Sequence, residues 1–492
     1  MKILFNNAIL SISIGLILAF TAVVFFATEA SYASIETGSI WVRNHFGHFY
    51  LYLGLGCVLL LVGIACSPFG NIRLGAKDST PEHSLWAWTA MLYSAGMGAG
   101  ILLRAVQEPV FMQQNPPFPS NHSPEILALE FTFYQWGFTA WAFYGLFAMV
   151  VGYALFVRKK AVLVSATVSD SISNKTVLGI IDIIVVITTV FGLIAALGLG
   201  TTQIKGGLDH LFSVDFGLGT TLSLVSGIAL IAFYSAWKGI DKGIKIISKV
   251  NILITMTLLA LIFFLSDVST ILLNFVQALY AYIVEFIPMS LALGNYDPGI
   301  AFLTDWTFYY WAFWLAWAPF TGIFIARISK GRTLRQLLLG VLFIPSLGTF
   351  FWFSVFGTAA FQTIADSGAY QGEFGNVFSS IFIFFESYPF PALWSGITIF
   401  LLIGFLVTSI DSAVFVLSMF TDNGKKEPAK MHRFLWSVFV LLATMALLLL
   451  GTAKAEIDVL SAVQKLLIIT SLPFALLIIP MSWLFVKTLV KR

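Results

Sequence analysis

Charged residues are scarce in this sequence, because Asp, Glu, Lys and Arg make up only 10% of its 492 residues. Soluble proteins carry roughly 25% charged residues, so a chain of this length could not cover a water-facing surface with the charges it has. The scarcity excludes a soluble multidomain enzyme, a disordered protein and a nucleic-acid-binding protein. Hydrophobic residues make up 59% of the chain, which indicates a polytopic membrane protein.

Cysteines and enzyme motifs are also few. The two cysteines, Cys57 and Cys66, fall in one apolar stretch, and helical spacing places them too far apart for a disulfide bond. The sequence has no paired-histidine zinc spacing, no GxxxxGK phosphate loop and no GxSxG nucleophile turn, and its six histidines show no ligand spacing. We therefore expect neither an enzyme nor a bound organic cofactor.

Long apolar runs dominate the chain. A membrane-spanning helix needs about 20 mostly apolar residues. About twelve such runs occur, near residues 8–28, 48–67, 86–106, 130–157, 177–207, 216–236, 247–266, 306–326, 337–360, 392–420, 433–452 and 464–486. A further stretch over 268–290 contains Glu285 and Pro288, and we interpret it as an interfacial helix. The predicted fold class is an all-α polytopic membrane protein with about twelve transmembrane helices.

The basic residues predict the orientation of these helices. With a cytoplasmic N-terminus, alternate loops collect nearly all of the 27 Lys and Arg residues; the exceptions are Arg43, Arg104, Lys205, Lys454 and Lys465. Cytoplasmic loops of membrane proteins carry such an excess of basic residues. We therefore predict an inner-membrane protein with both termini in the cytoplasm.

Aromatic residues cluster on two predicted helices. At 100° per residue, Phe313, Trp314, Trp317 and Phe320 fall within an arc of roughly 120°, while Trp311 points elsewhere. Trp136, Trp141 and Tyr144 fall within an arc of roughly 140°. Two such faces could form a box for a quaternary ammonium group. The alternative is that these rings form an interfacial belt or a lipid-facing surface.

Two further motifs could expose polar atoms within the membrane. The segment Gly96–Gly100, GMGAG, allows the backbone to unwind or a neighbouring helix to approach closely. The segment 405–412, FLVTSIDS, places Thr408, Ser409, Asp411 and Ser412 in an apolar run. Hydroxyl and carbonyl oxygens are ligands for a hard cation such as sodium, although hydrogen bonds within the helix are the commoner use of such hydroxyls.

Arg104 is a charged residue inside a predicted span, and such residues usually face a partner or a cavity. It lies four residues before Glu108, the helical spacing of an ion pair. A second interpretation is that Arg104 binds a carboxylate group of a transported solute.

Four motifs together resemble the betaine/choline/carnitine transporter family. They are AGMGAGILLRAVQEP (Ala95–Pro109), WGFTAWAFY (Trp136–Tyr144), WAFWLAWAPFTGIFIARISKGRTLRQ (Trp311–Gln336) and FLVTSIDS (Phe405–Ser412), in the order that the family has them. The resemblance implies two inverted five-helix repeats of the LeuT-like kind, preceded by two extra helices, and a homotrimer. The implied division is 1–70 for the extra helices, 84–290 for the first repeat with the interfacial helix, and 305–490 for the second repeat.

The resemblance also implies site residues. Trp136, Trp141, Tyr144, Trp314 and Trp317 match the family's aromatic box, and Phe313 stands where a second tryptophan is common. Gly96, Gly98 and Gly100 match the unwound segment near the solute carboxylate. Gly100 favours a zwitterion, since choline carriers tend to have an aspartate there. Arg104 stands where the family usually has an aromatic residue, and we include it among the substrate-binding candidates.

Sodium is the coupling ion that the resemblance implies. The matching ligand positions are Ser94 and Met97 (main chain), Phe405 (main chain), Thr408 and Ser409. A second sodium position is degraded, because Thr189 is followed one turn later by Leu193. Ala196 occupies the place of an arginine found in sodium-independent exchangers of the family, which favours sodium coupling.

The resulting expectation is a sodium symporter that imports a glycine betaine-like zwitterion by alternating access, with that small solute and membrane lipid as its partners. Within the same class, the alternative is a sodium-independent or proton-coupled exchanger of carnitine- or choline-type substrates. In another class, the alternative is a membrane-embedded sensor or channel with a transporter-like body.

Overall fold

The computed structural model describes residues 7–96, 98–238 and 241–491. These residues form helices joined by short connections, and within them the only β-type pairing is an isolated bridge between Arg73 and Thr333. The all-α fold class is confirmed. Cys57 and Cys66 are both free, in agreement with their spacing along one helix.

Nineteen α-helices follow one another along the described chain. The first nine are α1 (Ala8–Phe26), α2 (Thr28–Cys66), α3 (Leu85–Gly96), α4 (Ala99–Arg104), α5 (Gln107–Gln114), α6 (Pro124–Trp136), α7 (Phe138–Gly152), α8 (Val164–Val168) and α9 (Lys175–Phe212). The others are α10 (Gly217–Lys238), α11 (Asp241–Leu265), α12 (Val268–Leu291), α13 (Ile300–Leu303), α14 (Tyr309–Ile328), α15 (Leu334–Ser367), α16 (Ser380–Phe385), α17 (Pro391–Thr421), α18 (Lys430–Leu450) and α19 (Val459–Val490). Short 3₁₀ turns at Pro68–Asn71 and Gly294–Tyr296 and π-helical turns at Tyr153–Val157 and Thr304–Phe308 complete the helical structure.

Twelve helices of the described chain are long and apolar enough to cross a membrane. All but one of them coincide with predicted runs. The remaining one is α12, which we assigned to the interface and which meets the same criteria of length and composition as the others. The predicted span over 86–106 is not one continuous helix, because α3 ends at Gly96 and α4 begins at Ala99.

Local sequence signals explain where the site-bearing helices begin. Ser123 caps α6 by accepting a hydrogen bond from the Ile126 N–H, and Pro124 occupies the first turn, where its missing N–H costs nothing. At α15 the Thr333 hydroxyl accepts the Gln336 N–H, while the Gln336 side chain accepts the Thr333 N–H. These caps satisfy amide groups of the first helical turn, which have no partner within the helix.

The spans form two packed groups that meet around the centre of the protein. In one group α14 packs on α7, and α15 packs on α3, α6 and α7. In the other group α9 and α10 pack on α17 and α18, and α11 packs on α17. Each group therefore combines helices from both halves of the chain, and the candidate site lies where the two groups face each other.

Gly137 separates α6 from α7 and decides how their side chains are oriented. A Cβ at this position would lie 2.6 Å from the Phe133 carbonyl oxygen and 2.7 Å from the Tyr282 hydroxyl oxygen. Those contacts are too short for any real side chain, so the close packing of α6, α7 and α12 requires glycine here. The Phe138 N–H next to the break donates to the Tyr282 hydroxyl at 2.9 Å.

Candidate functional site

A cavity of about 700 Å³ lies between the two helix groups. Its lining comes from α4, α6, α7 and α14 on one side and from α9, α11 and α17 on the other. This volume falls within the range of small-molecule sites, roughly 300–1,000 Å³. The cavity is the natural candidate for the functional site, because residues from all four sequence motifs that we singled out contribute to its wall.

Five of the predicted box residues line this cavity: Trp136, Tyr144, Phe313, Trp314 and Trp317. The ring centroid of Trp314 lies 5.1 Å from that of Trp136 and 6.0 Å from that of Tyr144, and both pairs are edge-to-face. Three rings from three helices thus form one wall. Such a wall attracts a cation that needs no hydrogen-bond acceptor.

Trp141, the sixth predicted ring, does not belong to the cavity lining. It packs edge-to-face on Tyr144, with ring centroids 5.4 Å apart. The prediction assumed one continuous helix from Trp136 to Tyr144, whereas the break at Gly137 changes the angular relation between the two parts. Trp311 is fully buried and lies outside the lining, as its helical position predicted.

Hydrogen bonds hold the two central indoles in position. The Trp314 Nε1–H donates to the Gln135 carbonyl oxygen at 2.9 Å. The Trp136 Nε1–H lies 3.2 Å from both carboxylate oxygens of Glu108, and the Tyr310 hydroxyl also donates to Glu108. Because these bonds satisfy the polar edges of the indoles, the rings offer aromatic carbon to the cavity.

Arg104 lies outside the cavity lining, in a buried cluster that closes the cavity next to Trp136. Its Nη1 donates to Gln107 Oε1 at 2.6 Å, and its guanidinium carbon lies 4.9 Å from the Trp306 ring centroid and 6.0 Å from that of Tyr310. The expected hydrogen-bonded pair with Glu108 is not formed, because α4 ends at Arg104 and α5 begins only at Gln107. We call Arg104, Glu108, Trp306 and Tyr310 the closed end.

The glycines of the GMGAG motif have different positions. Gly98 and Gly100 line the cavity, and a Cβ on Gly100 would lie 3.4 Å from the Trp136 ring. Gly98 has an extended backbone, with φ −135° and ψ −173°, which interrupts the helix. Gly96 is the last residue of α3. The predicted unwinding therefore occurs at this motif, and it brings main-chain groups to the cavity wall.

The hydroxyl motif of α17 lies in the same cavity, where Phe405, Thr408 and Ser409 all contribute to the wall. The Thr408 hydroxyl donates to the carbonyl oxygens of Gly404 at 3.0 Å and Phe405 at 3.1 Å. Its own oxygen remains an acceptor, as a cation ligand requires. Of the other predicted ligands, Met97 and the Ser94 side chain lie outside the described residues.

The helix α9 carries the residues that bear on ion coupling. Ala196 lines the cavity. The Thr189 hydroxyl donates to the Val185 carbonyl oxygen at 2.7 Å, and Leu193 is buried. Around Thr189 and Leu193 lie Ala316, Trp317, Phe320 and Ala413, so most of the side chains there offer no oxygen ligand.

Gln203 and Asn251 are cavity residues that our reading of the sequence missed. Both line the cavity, Gln203 is fully buried and Asn251 is 2% exposed. All four of their side-chain amide atoms lack a hydrogen-bond partner among the described residues. Buried amides normally have partners, so these two are available to a polar ligand or to water. Each is an isolated polar residue on a long apolar helix, and this is the sequence signal that could have identified them as cavity residues.

The other end of the cavity is open. Glu82, His83, Phe324 and Arg327 lie in its wall, and Glu82, Phe324 and Arg327 are exposed. By contrast, the residues of the closed end are at most 6% exposed. Among the described residues, the cavity wall is therefore exposed at the end that carries Glu82 and Arg327 and buried at the end next to Arg104.

Comparison with known proteins identifies the family. Residues 8–492 match the model of the BCCT, betaine/carnitine/choline family transporters. The chain belongs to this family. It is 35% identical to the glycine betaine transporter OpuD of Bacillus subtilis over 91% of this chain and 87% of that protein. It is 34% identical to the high-affinity choline transport protein of Escherichia coli K12 over 96% and 70%, and 33% identical to an ectoine/hydroxyectoine transporter of Virgibacillus pantothenticus over 91% and 89%.

Membership of the BCCT family confirms the resemblance drawn from the four motifs. The chain is a multi-pass membrane transporter and not an enzyme. Relatives named for betaine, choline and ectoine support osmolyte transport.

Proposed function

We propose that this transporter imports a zwitterionic quaternary ammonium solute of the glycine betaine type, by sodium symport with alternating access. The observation that carries the proposal is the ring wall of Trp136, Tyr144 and Trp314, which meets the main chain of Gly98 and Gly100 in one cavity. The rings bind the ammonium group, and the main chain of Gly98 and Gly100 takes the carboxylate.

A zwitterion suits the charges of this cavity. The carboxylates among its described lining residues are Glu82, at the open end, and Asp411, on α17 beside the hydroxyl motif. At the ring wall the ammonium group therefore meets aromatic faces. At Gly100 a Cβ would meet the Trp136 ring at 3.4 Å, so an aspartate there would project a carboxylate next to the ammonium position. Glycine leaves that space to the carboxylate that the solute itself carries.

We assign an inward-open conformation from the open end of the cavity. Arg327 lies at this end, and the rule for basic residues places its loop in the cytoplasm. In that orientation the cavity opens inward, and the closed end of Arg104, Glu108, Trp306 and Tyr310 shuts it toward the outside. Alternating access would require this cluster to separate while the cytoplasmic end closes.

Sodium coupling is supported by the oxygen atoms of α17. Thr408, Ser409 and Phe405 line the same cavity as Gly98, and the two hydroxyls and the Phe405 carbonyl are the kinds of oxygen that bind sodium. A bound sodium ion would supply positive charge that stabilises the interrupted third span. By linkage, an ion that favours the binding-competent arrangement also raises the affinity for the solute. Ala196 lines the cavity at the position where the sodium-independent exchangers of the family carry an arginine, so that arginine is missing here.

Uptake into proteoliposomes tests this proposal. Under an inward sodium gradient, we expect the purified transporter to accumulate radiolabelled glycine betaine above its external concentration, and to lose this activity when potassium replaces sodium. Undiminished uptake in potassium that instead follows a pH gradient would refute sodium symport in favour of a proton-coupled carrier. Equilibration without accumulation under every gradient would favour a channel or an exchanger.

A pair of variants on α17 makes the sodium test residue-specific. Thr408→Val removes the hydroxyl and keeps the shape, so we expect the sodium concentration for half-maximal betaine binding to rise about tenfold or more. Ser412→Ala, one turn away and also in the cavity wall, is the matched control and should leave that concentration unchanged. Equal sodium dependence in both variants would contradict the assigned site.

The cellular arrangement is part of the same proposal. We place the transporter in the inner membrane with both termini in the cytoplasm, as a homotrimer of chains with two inverted repeats. Native mass spectrometry of the detergent-purified protein would detect three chains per particle. Labelling of cysteines introduced into the loops near Lys160 and Lys330 would reveal the cytoplasmic side.

A further inference from the structure

A histidine and two glutamates from different segments meet away from the main cavity. His122 precedes α6, Glu130 lies within α6, and Glu285 lies on α12. The potential ligand atoms of these three residues all lie within 4.8 Å of one another. The His122 Nε2 and a Glu285 carboxylate oxygen are 3.0 Å apart. None of the three residues belongs to the lining of the cavity described above.

Glu130 is the unusual member of this cluster. Its side chain is fully buried, and neither carboxylate oxygen has a hydrogen-bond partner among the described residues. Burying a carboxylate without a donor or a counter-ion is costly. The nearby carboxylate of Glu285 increases that cost by repulsion. Glu130 therefore requires a cation or a proton to be stable where it lies.

Tyr296, in a turn outside the spans, lies beside the Glu285 carboxylate. The Tyr296 ring also packs against Phe118, with centroids 5.3 Å apart. The cluster is thus a negatively charged group beside aromatic side chains, a setting in which a bound cation is poorly screened by water.

We propose that His122, Glu130 and Glu285 form a binding site for a divalent transition-metal ion such as Zn²⁺. One imidazole nitrogen and two carboxylate oxygens are a ligand set that zinc accepts, with a fourth position for water. Bonds of about 2.0–2.2 Å in tetrahedral geometry place ligand atoms about 3.4 Å apart. The His122 and Glu285 ligand atoms, 3.0 Å apart, would move apart slightly to admit the ion, and the Glu130 carboxylate would rotate toward them.

The burial of the three residues suits such a site. The side chains of His122 and Glu285 are 32% and 17% exposed, which leaves a path for the ion and for a water ligand. Glu130 lies beneath them and closes the inner side. A metal ion would neutralise the two carboxylates together, which a single shared proton does only in part.

The position of the site suggests its consequence for transport, a point that rests on the proposed function. Glu130 and the cavity residue Trp136 belong to the same helix, α6. Helix α12 already packs there, through the Tyr134 and Phe286 rings at 6.2 Å. A metal bridge between α6 and α12 would restrict the movement of α6, so we expect Zn²⁺ to slow transport.

Zinc titration of the purified full-length chain tests the site directly. After removal of metal ions by a chelator, isothermal titration calorimetry with Zn²⁺ should reveal one site per chain. We expect Glu130→Gln and His122→Ala to weaken this binding at least tenfold. The pair His210 and Glu386 supplies the control, because its Nε2 and carboxylate oxygen are also 3.0 Å apart. Replacing His210 with alanine should leave the zinc affinity unchanged.

Two results would overturn the proposed zinc site. Equal zinc affinity in wild type and Glu130→Gln would overturn the proposal and leave a proton shared by Glu130 and Glu285 as the stabilising species. Loss of binding in His210→Ala would overturn it as well. If Glu130→Gln fails to fold, the partly exposed His122 allows the same decision through His122→Ala. Binding is measured without solute and betaine uptake without zinc, so failure of one proposal is distinguishable from failure of the other.

Discussion

Replacing Trp314 with leucine is the most direct test of the aromatic wall. The Trp314 ring makes edge-to-face contacts with Trp136 at 5.1 Å and Tyr144 at 6.0 Å, and its Nε1–H is held by the Gln135 carbonyl oxygen. Leucine removes one ring from the ammonium site and releases the two rings that lean on it. The variant should therefore lose affinity for glycine betaine.

The size of the loss follows from these contacts. A well-placed ring contributes about 0.5–2 kcal/mol to the binding of a cation. An aromatic pair contributes about 0.5–1.5 kcal/mol, but these pairs affect affinity only by positioning Trp136 and Tyr144. We therefore expect a loss of about 2 kcal/mol, which corresponds to a Kd about 30-fold higher.

Equilibrium binding of radiolabelled glycine betaine to the purified protein measures this change. Trp311→Leu is the matched control, since Trp311 lies on the same helix, is fully buried and is absent from the cavity lining. We expect the control to lower the Tm, because a large core side chain is lost, and to leave the Kd within about twofold. An unchanged Kd in folded Trp314→Leu, or an equal loss in Trp311→Leu, would refute the assignment of the ring wall.

Two other predictions concern residues beside the rings. Gln203→Leu and Asn251→Leu should each raise the Tm of the ligand-free protein, because a buried amide without a hydrogen-bond partner costs about 1–3 kcal/mol of stability. Both variants should also weaken betaine binding. A lower Tm would show that these amides are hydrogen-bonded. Arg104→Ala should lower the Tm, because it removes the buried hydrogen bond to Gln107 and the contact with Trp306. It should leave the betaine Kd within about twofold of the wild-type value. A tenfold higher Kd would show that Arg104 contacts the solute.

Most of the fold could be predicted because membrane insertion depends on local sequence. A run of about 20 apolar residues is sufficient to predict a spanning helix, and all but one of the continuous spans were found in this way. The exception was α12, where Glu285 and Pro288 suggested an interfacial helix. Those two residues interrupt the apolar pattern but not the helix, which continues to Leu291.

The aromatic box was predicted only in part, because the helix breaks at Gly137. Trp314 and Trp317 lie on one unbroken helix, so helical spacing placed them correctly at the cavity. Trp136 and Trp141 lie on opposite sides of the Gly137 break, where the angular rule no longer holds. The break exists because α12 approaches Gly137 closely, and no sequence pattern reports that contact.

The sequence by itself determined that the chain spans a membrane many times, since charges are too few for a water-facing surface, and its four motifs identified the family. Only the tertiary structure decided which polar and charged groups share a site. It separated Arg104 from the cavity, brought Gln203 and Asn251 into it, and joined His122 to Glu130 and Glu285 across more than 160 positions of the chain. Helical periodicity acts over a few turns, whereas these contacts depend on how whole helices pack.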